Sequence, residues 1–434
     1  MRLSKILSKA SLSLLLVFTA SPAFAQPEIV SDSGDTAWIL AASALVLMMT
    51  VPGLALFYGG LVRAKNVLAI FMHGFIITAI ASLLWAVVGY SLVFGEGSAY
   101  LGGFGNAMLG GLADLREGTT IPESAFALFQ MTFAIITPAL VVGAFAERVR
   151  FGWVVAFALL WTLLVYIPAA RWLWGGGWLA ERGTLDFAGG IVVHTTAGIA
   201  ALVLARMIGP RKGFKKTLLA PHSPALTMAG AGLLWVGWFG FNGGSALAAG
   251  DGAATAILNT HLAACAAAIT WLIAEWFKIG KATSIGVVTG AVAGLATVTP
   301  AAGFIGPAGA MILGSLAGVV CFGAVLLVKS VMKIDDSLDV FAVHGVGGIL
   351  GSLLFPLFML DVFGGPGLPE GTSMAAQLAS QAIGVGAVAA WTLIMTLGIA
   401  FVISFAIPMR VDEEAEQNGL DLTSHGERGW DLDG

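Results

Sequence analysis

The segment Gly189–Leu202 reads GGIVVHTTAGIAAL, and the segment Phe341–Leu354 reads FAVHGVGGILGSLL. Each sets one histidine, His194 or His344, inside a long apolar run, and each spells Val-His-x-x-x-Gly-Ile. Runs of this kind belong either in a large core or in a bilayer, and the rest of the chain decides which. Of its 434 residues 58% are hydrophobic and 11% charged, too little charge to cover a soluble core of that size. The reading is an all-α polytopic membrane protein, because helices satisfy their own backbone in lipid. The formal net charge of −4 says little about partners, and no nucleic acid is expected among them.

Residues 1–25 form a separate unit. Arg2, Lys5 and Lys9 precede a short apolar core, LSLLLVFTA, and small residues end it at SPAFA. This is the pattern of a cleaved signal peptide, the core being too short to span, and it places the mature N-terminus outside the cell membrane.

Apolar spans of roughly 20 residues can be marked at Trp38–Leu61, Val67–Phe94, Ala125–Ala146, Trp153–Ala170, Phe187–Ile208, Leu226–Phe241, Ala253–Phe277, Ile285–Val298, Ala308–Val328, Val340–Leu360 and Ala387–Ile407. That gives about eleven helices, some short or interrupted by glycine. Threaded from an outer N-terminus, they put 15 of the 21 Lys and Arg on the inner side, from Arg63 to Arg428. Only Arg116, Arg171 and Arg182 fall outside, and the other three lie in the signal peptide. Such a bias is the positive-inside signature, and it makes the tail 408–434 cytoplasmic.

A faint repeat runs through the membrane region 26–407. ALFYGGLV ends the first span and GFNGGSAL the sixth, sharing Phe-x-Gly-Gly at Phe57 and Phe241, while the two His segments occupy the fifth and tenth spans. The expected plan is two halves, about 37–209 and 224–361, plus a last helix at about 376–407. Five helices per half inverts the second half, an arrangement that places transporter sites near the midplane. Most of the 58 glycines read as close helix contacts.

Asp186 stands eight residues before His194, and Asp336 eight before His344. If each Asp marks its membrane boundary, eight helical residues, about 12 Å, carry the rings from opposite faces toward the middle of a core roughly 30 Å thick. Ionised groups there are costly, so both rings are expected neutral. A neutral imidazole has one donor and one acceptor, so two in contact share a bond and keep two nitrogens for a small polar solute or a proton relay. His73 and His261 lie in spans with no second supporting feature, and Cys265 and Cys321 read as packed thiols. RWLWGGGW at Arg171–Trp178 places aromatic rings at the outer mouth, where an indole face attracts cations.

PGLALFYGGLVRAKNVL, VVGAFAERVRF, LDFAGGIVVHTTAGIAAL, GWFGFNGGS, DDSLDVFAVHGVGGILG and NGLDLTSHGE closely resemble the ammonium transporter family, above all bacterial members with a cleaved signal peptide. The resemblance covers nearly the whole mature chain. It implies a homotrimer in the bacterial inner membrane with one pore per subunit, serving nitrogen uptake. It also implies residue roles: Trp174, Phe129 and Ser245 recruiting ammonium, Phe133 and Phe241 as a gate, and His194 and His344 as the pore pair. Asp186 would be a structural or deprotonation-assisting carboxylate near the recruitment site. A PII-type signal protein would meet the cytoplasmic face, and neither enzyme activity, metal nor cofactor is implied. Charge attraction by an aromatic cage, with a hydroxyl acceptor that potassium cannot use, would select ammonium. Ammonia would then cross the dry passage apart from its proton. Alternatives are an ammonium sensor signalling through a PII-type protein, a bis-His haem redox protein and a carbon dioxide channel.

Overall fold

The structure is a computed structural model that describes residues 30–217 and 219–430. The expected signal peptide, residues 1–25, lies outside the described residues. Among those described, the regular structure is helical, with two isolated bridges and no longer strand.

Among the described residues, ten helices are long and apolar enough to cross a membrane: α1 Ser33–Leu61, α2 Ala64–Phe94, α3 Glu123–Phe145, α4 Phe151–Glu181, α5 Gly190–Ile208, α6 Pro224–Gly244, α7 Asp251–Ile279, α9 Pro307–Val331, α10 Phe341–Phe358 and α11 Met374–Ala406. The eleventh expected span is α8, Ser284–Val298, a helix of 15 residues. A helix that short rises only about 22 Å, and a buried turn follows it. Asn259 of α7 donates to the carbonyls of Ala302 and Ile305 in that turn at 2.9 and 2.7 Å. Non-helical backbone is tolerated at such depth when protein groups satisfy it, as here.

Several helices contain a π-helical turn, a feature concentrated at functional positions in proteins generally. The turns recur at matching places: Thr162–Tyr166 in α4 and Leu327–Val331 in α9, Gly190–Thr195 opening α5 and Phe341–Gly345 opening α10. The last two carry His194 and His344.

Glycine lets α5 and α10 cross in contact. A Cβ on Gly198 would collide with the backbone of Gly345, and one on Gly348 would stand 2.5 Å from the carbonyl oxygen of Gly190. Both histidine-bearing turns are thereby drawn to one crossing point.

The loops at the opposite end from Trp174 are pinned by charge. Glu147 accepts from Arg63 N and Nε and from Asn66, while its second oxygen takes Arg211 at 3.0 Å. Arg211 also forms a bidentate pair with Asp335, both bonds 2.9 Å. Two short tail helices, α12 Glu413–Asn418 and α13 Leu420–His425, fold back onto this end. Leu420 N donates to Asn66, Ala69 N to Asp421, and Lys212 N to Glu416.

Candidate functional site: an aromatic and histidine passage

Trp174 ends the helical stretch Ile167–Leu173, where Gly175, Gly176 and Gly177 turn the chain. Gly176 has φ +72°, and a Cβ on Gly175 would strike the carbonyl of Val93. The indole is fixed from behind, since its Nε1 donates to the Asp186 carbonyl at 2.8 Å. Its face borders a cavity of about 320 Å3 also lined by Phe126, Gln130, Phe133, Phe187 and Ser245. Ser245 Oγ donates to the Phe241 carbonyl at 2.9 Å. That bond uses the hydroxyl's only proton, so its oxygen is left to accept from a ligand.

From this cavity the rings continue inward in sequence. Trp174 meets Phe133 edge to face at 5.6 Å between centroids, and Phe133 lies 4.4 Å from Phe241. Phe241 is 6.1 Å from His194, and His194 is stacked 5.2 Å from His344. The order Trp174, Phe133, Phe241, His194, His344 draws on α4, α3, α6, α5 and α10 in turn.

Phe129 takes another position. It is fully buried, 5.0 Å from Phe133, and fills the space left by Gly244. The ring of α3 that borders the cavity one turn earlier is Phe126, so Phe129 supports Phe133 from behind and does not line the cavity. Helical spacing alone left both on one side of α3, and only packing separates them.

Asp186 stands where α5 begins. Its two oxygens accept four backbone N–H bonds, from Gly189 and Gly190 on one and Ile191 and Val192 on the other, at 2.7–3.0 Å. These are the orphan donors at the start of α5, so the carboxylate acts as a helix cap. Asp336 stands at the matching place before α10, where one oxygen accepts from Phe341 N at 2.7 Å. Both side chains are buried, so neither aspartate marks a boundary with water. They set where each helix begins, and hence how deep each histidine sits.

The two histidines meet Nδ1 to Nδ1 at 3.3 Å. For neutral rings that contact demands opposite tautomers, one Nδ1–H and one Nε2–H. His194 Nε2 is buried without a hydrogen-bond partner, and the residue borders the passage. Between Phe241 and His344 the passage is lined by Leu140, Leu234 and Trp238 and leaves only about 10 Å3 for the centre of a water-sized solute. Beyond His344 it opens into a cavity of about 210 Å3 bordered by Phe57, Tyr58 and Asp339. A haem between these two rings has no space at that separation.

Two residues of the passage were not anticipated. Trp238 stacks on His194 at 5.5 Å and is anchored by Nε1 to Thr299 at 2.9 Å; it stands three residues before Phe241, one helical turn away. Phe57 borders the passage on the His344 side as Phe241 does on the other. The shared Phe-x-Gly-Gly was the available signal for Phe57. His73 and His261 stay outside the passage, the first stacked on Phe151 at 5.9 Å, the second 5.5 Å from Trp235. Cys265 and Cys321 are free thiols.

Residues 37–430 match the model of the Ammonium Transporter Family. A putative ammonium transporter of Methanothermobacter thermautotrophicus is 46% identical over 92% of this chain and 99% of its own length. The ammonium transporter of Bacillus subtilis is 45% identical over 92% and 98% respectively. Among solved structures, a protein described as a sensor Amt protein superimposes with a TM-score of 0.85 at 30% identity, covering 90% of this chain and 98% of that one. With a family model and long relatives in agreement, this multi-pass membrane protein belongs to the ammonium transporter family.

Proposed function

We propose that the chain takes up ammonium by recruiting the cation at the Trp174 cavity, deprotonating it there and passing ammonia along the histidine-lined passage. The observation that carries this reading is the unbroken ring series from Trp174 to His344 between two cavities. Ammonium presents four N–H donors and one charge. Trp174 offers an indole face, and Ser245 an acceptor already committed by its bond to Phe241. Potassium can use the first and has no hydrogen to give the second.

The tight passage between Phe133 and His344 cannot carry a hydration shell, so a bare cation there lacks compensation. Ammonia is neutral and both donates and accepts, which suits the free His194 Nε2. The N–H bond breaks on the Trp174 side, the proton travels by the imidazole pair, and ammonium re-forms beyond His344. No other bond changes, in keeping with a transporter rather than an enzyme.

In this reading the Trp174 cavity is periplasmic, the tail and the Glu147 cluster are cytoplasmic, and the membrane is the bacterial inner membrane, the distribution of Lys and Arg being the support. Three copies form a homotrimer with a pore in each, built from inverted halves, and the folded tail presents a platform for a PII-type protein. The test is an ammonium-evoked current in liposomes reconstituted with the full chain. Trp174→Leu and His194→Ala are expected to diminish or alter the current, and a current indifferent to both would refute the proposed route.

A further inference from the structure

The Trp174 cavity has a second aromatic wall that recruitment does not use. The guanidinium carbon of Arg116 lies 4.5 Å from the ring centre of Phe126 and 5.1 Å from that of Phe94. All three residues border the same cavity as Phe133, Trp174 and Ser245. A cation within about 6 Å of an aromatic face is held by its quadrupole. A cavity shaped for a free cation therefore already contains a tethered one.

The position of Arg116 is built by its loop. Its N–H donates to the Ile121 carbonyl at 2.9 Å, and its own carbonyl accepts from Thr119 N at 3.0 Å and Thr119 Oγ1 at 2.8 Å, closing the turn before α3. Glu123 is the nearest counter-charge, yet its Oε1 binds Tyr90 at 2.6 Å and its Oε2 binds Ala113 N at 2.5 Å. The closest approach of Arg116 to it is 3.7 Å, an ion pair longer than a hydrogen bond. Glu117 borders the cavity as well and adds one negative charge to the rim.

Repulsion between charges sharing a cavity scales with their product. If Arg116 lowers the occupancy of a monovalent ion by some factor, it lowers that of a divalent ion by about the square of that factor. We propose that Arg116 is a valence filter: set against the negative charges of Glu117 and Glu123, it weakens ammonium capture and disfavours divalent metal ions and diamines more steeply in the recruitment cavity. This rests on the ammonium reading of that cavity.

The test uses the full chain in liposomes, with currents titrated by ammonium in the absence and presence of magnesium or 1,4-diaminobutane. Arg116→Gln and Arg116→Met, the latter keeping the aliphatic packing on Phe94 and Phe126, are expected to lower half-saturating ammonium about threefold and strengthen diamine inhibition about tenfold. Arg116→Lys should stay near wild type, and Glu123→Gln should shift both values the opposite way. Conducting Gln and Met variants with both values within about twofold of wild type, or with equal shifts for one and two charges, would overturn the filter. Tryptophan fluorescence titrated with 1,4-diaminobutane separates this from the ammonium reading. Tighter binding by the Gln variant supports the filter even in a protein that carries no current, and equal affinities reject it.

Discussion

His194 and His344 stand with Nδ1 facing Nδ1 at 3.3 Å, at the point where α5 and α10 cross. The pair is held by backbone geometry around it, not by further side-chain bonds, and this allows its chemistry to be separated from folding. The double variant His194→Ala, His344→Ala is expected to retain its thermal unfolding temperature within a few degrees and to change ammonium over potassium selectivity. Unchanged selectivity in bi-ionic potential measurements would reject the relay.

The crossing itself should be far less tolerant. Gly198 approaches Gly345 so closely that any side chain meets backbone. Gly198→Val is expected to destabilise the fold by about 1–3 kcal/mol, as overpacked cores generally are. It should abolish transport while the exposed Gly386→Ala, with open space around it, changes neither property. Parallel melting curves and liposome fluxes decide this.

Ser245 is poised as an acceptor because its proton is spent on the Phe241 carbonyl. Ser245→Ala removes one hydrogen bond to a charged ligand, worth about 1.5–3 kcal/mol. Half-saturating ammonium should rise by about tenfold or more, with potassium competing better than before. A competition assay in which potassium inhibition is unaltered would show that the hydroxyl does not discriminate.

Asp186 is expected to matter to the fold first. Asp186→Asn keeps a single acceptor oxygen against four backbone donors, and its amide hydrogens oppose two of them. Folded yield should fall, with tryptophan fluorescence reporting displacement of Trp174, whose indole leans on the same residue. A full yield of Asp186→Asn protein with altered transport would instead favour a direct part in deprotonation.

Acid should loosen the end of the molecule opposite Trp174. Burial opposes ionisation of Glu147 and Asp335, but Arg211, joined by Arg63 at the first and Arg148 at the second, holds both below the usual carboxylate range. A depressed native pKa contributes stability above the unfolded value, about 4, and that stability is lost as pH falls through the native values. Thermal stability of the purified protein should thus be level from neutrality to about pH 5 and fall steeply below about pH 4. Arg211→Met strips the buried Asp335 carboxylate of its bidentate partner and leaves Glu147 with Arg63 alone, and should cost about 3–5 kcal/mol at neutral pH.

Much of the fold was legible because its signals are local. Hydropathy marked the spans, and α8 at Ile285–Val298 was read within a residue of its observed start. The paired Val-His-x-x-x-Gly-Ile segments correctly suggested one meeting place. The aspartates were misread as boundary markers because a carboxylate capping buried backbone donors looks, in sequence, like one facing water. Phe126 and Phe129 share a helix face within one turn, so nothing short of neighbouring helices could assign one to the cavity and the other to its support.

By itself the sequence determined the membrane-spanning helical class and the family, since apolarity, charge bias and motif spacing are properties of contiguous residues. Only the tertiary structure decided the order of the rings, the Nδ1 contact and the placement of Arg116 on the Trp174 cavity. Each of these depends on distances between residues on different helices or loops. Those distances follow from how closely glycine-bearing helices approach, a quantity that no local pattern encodes.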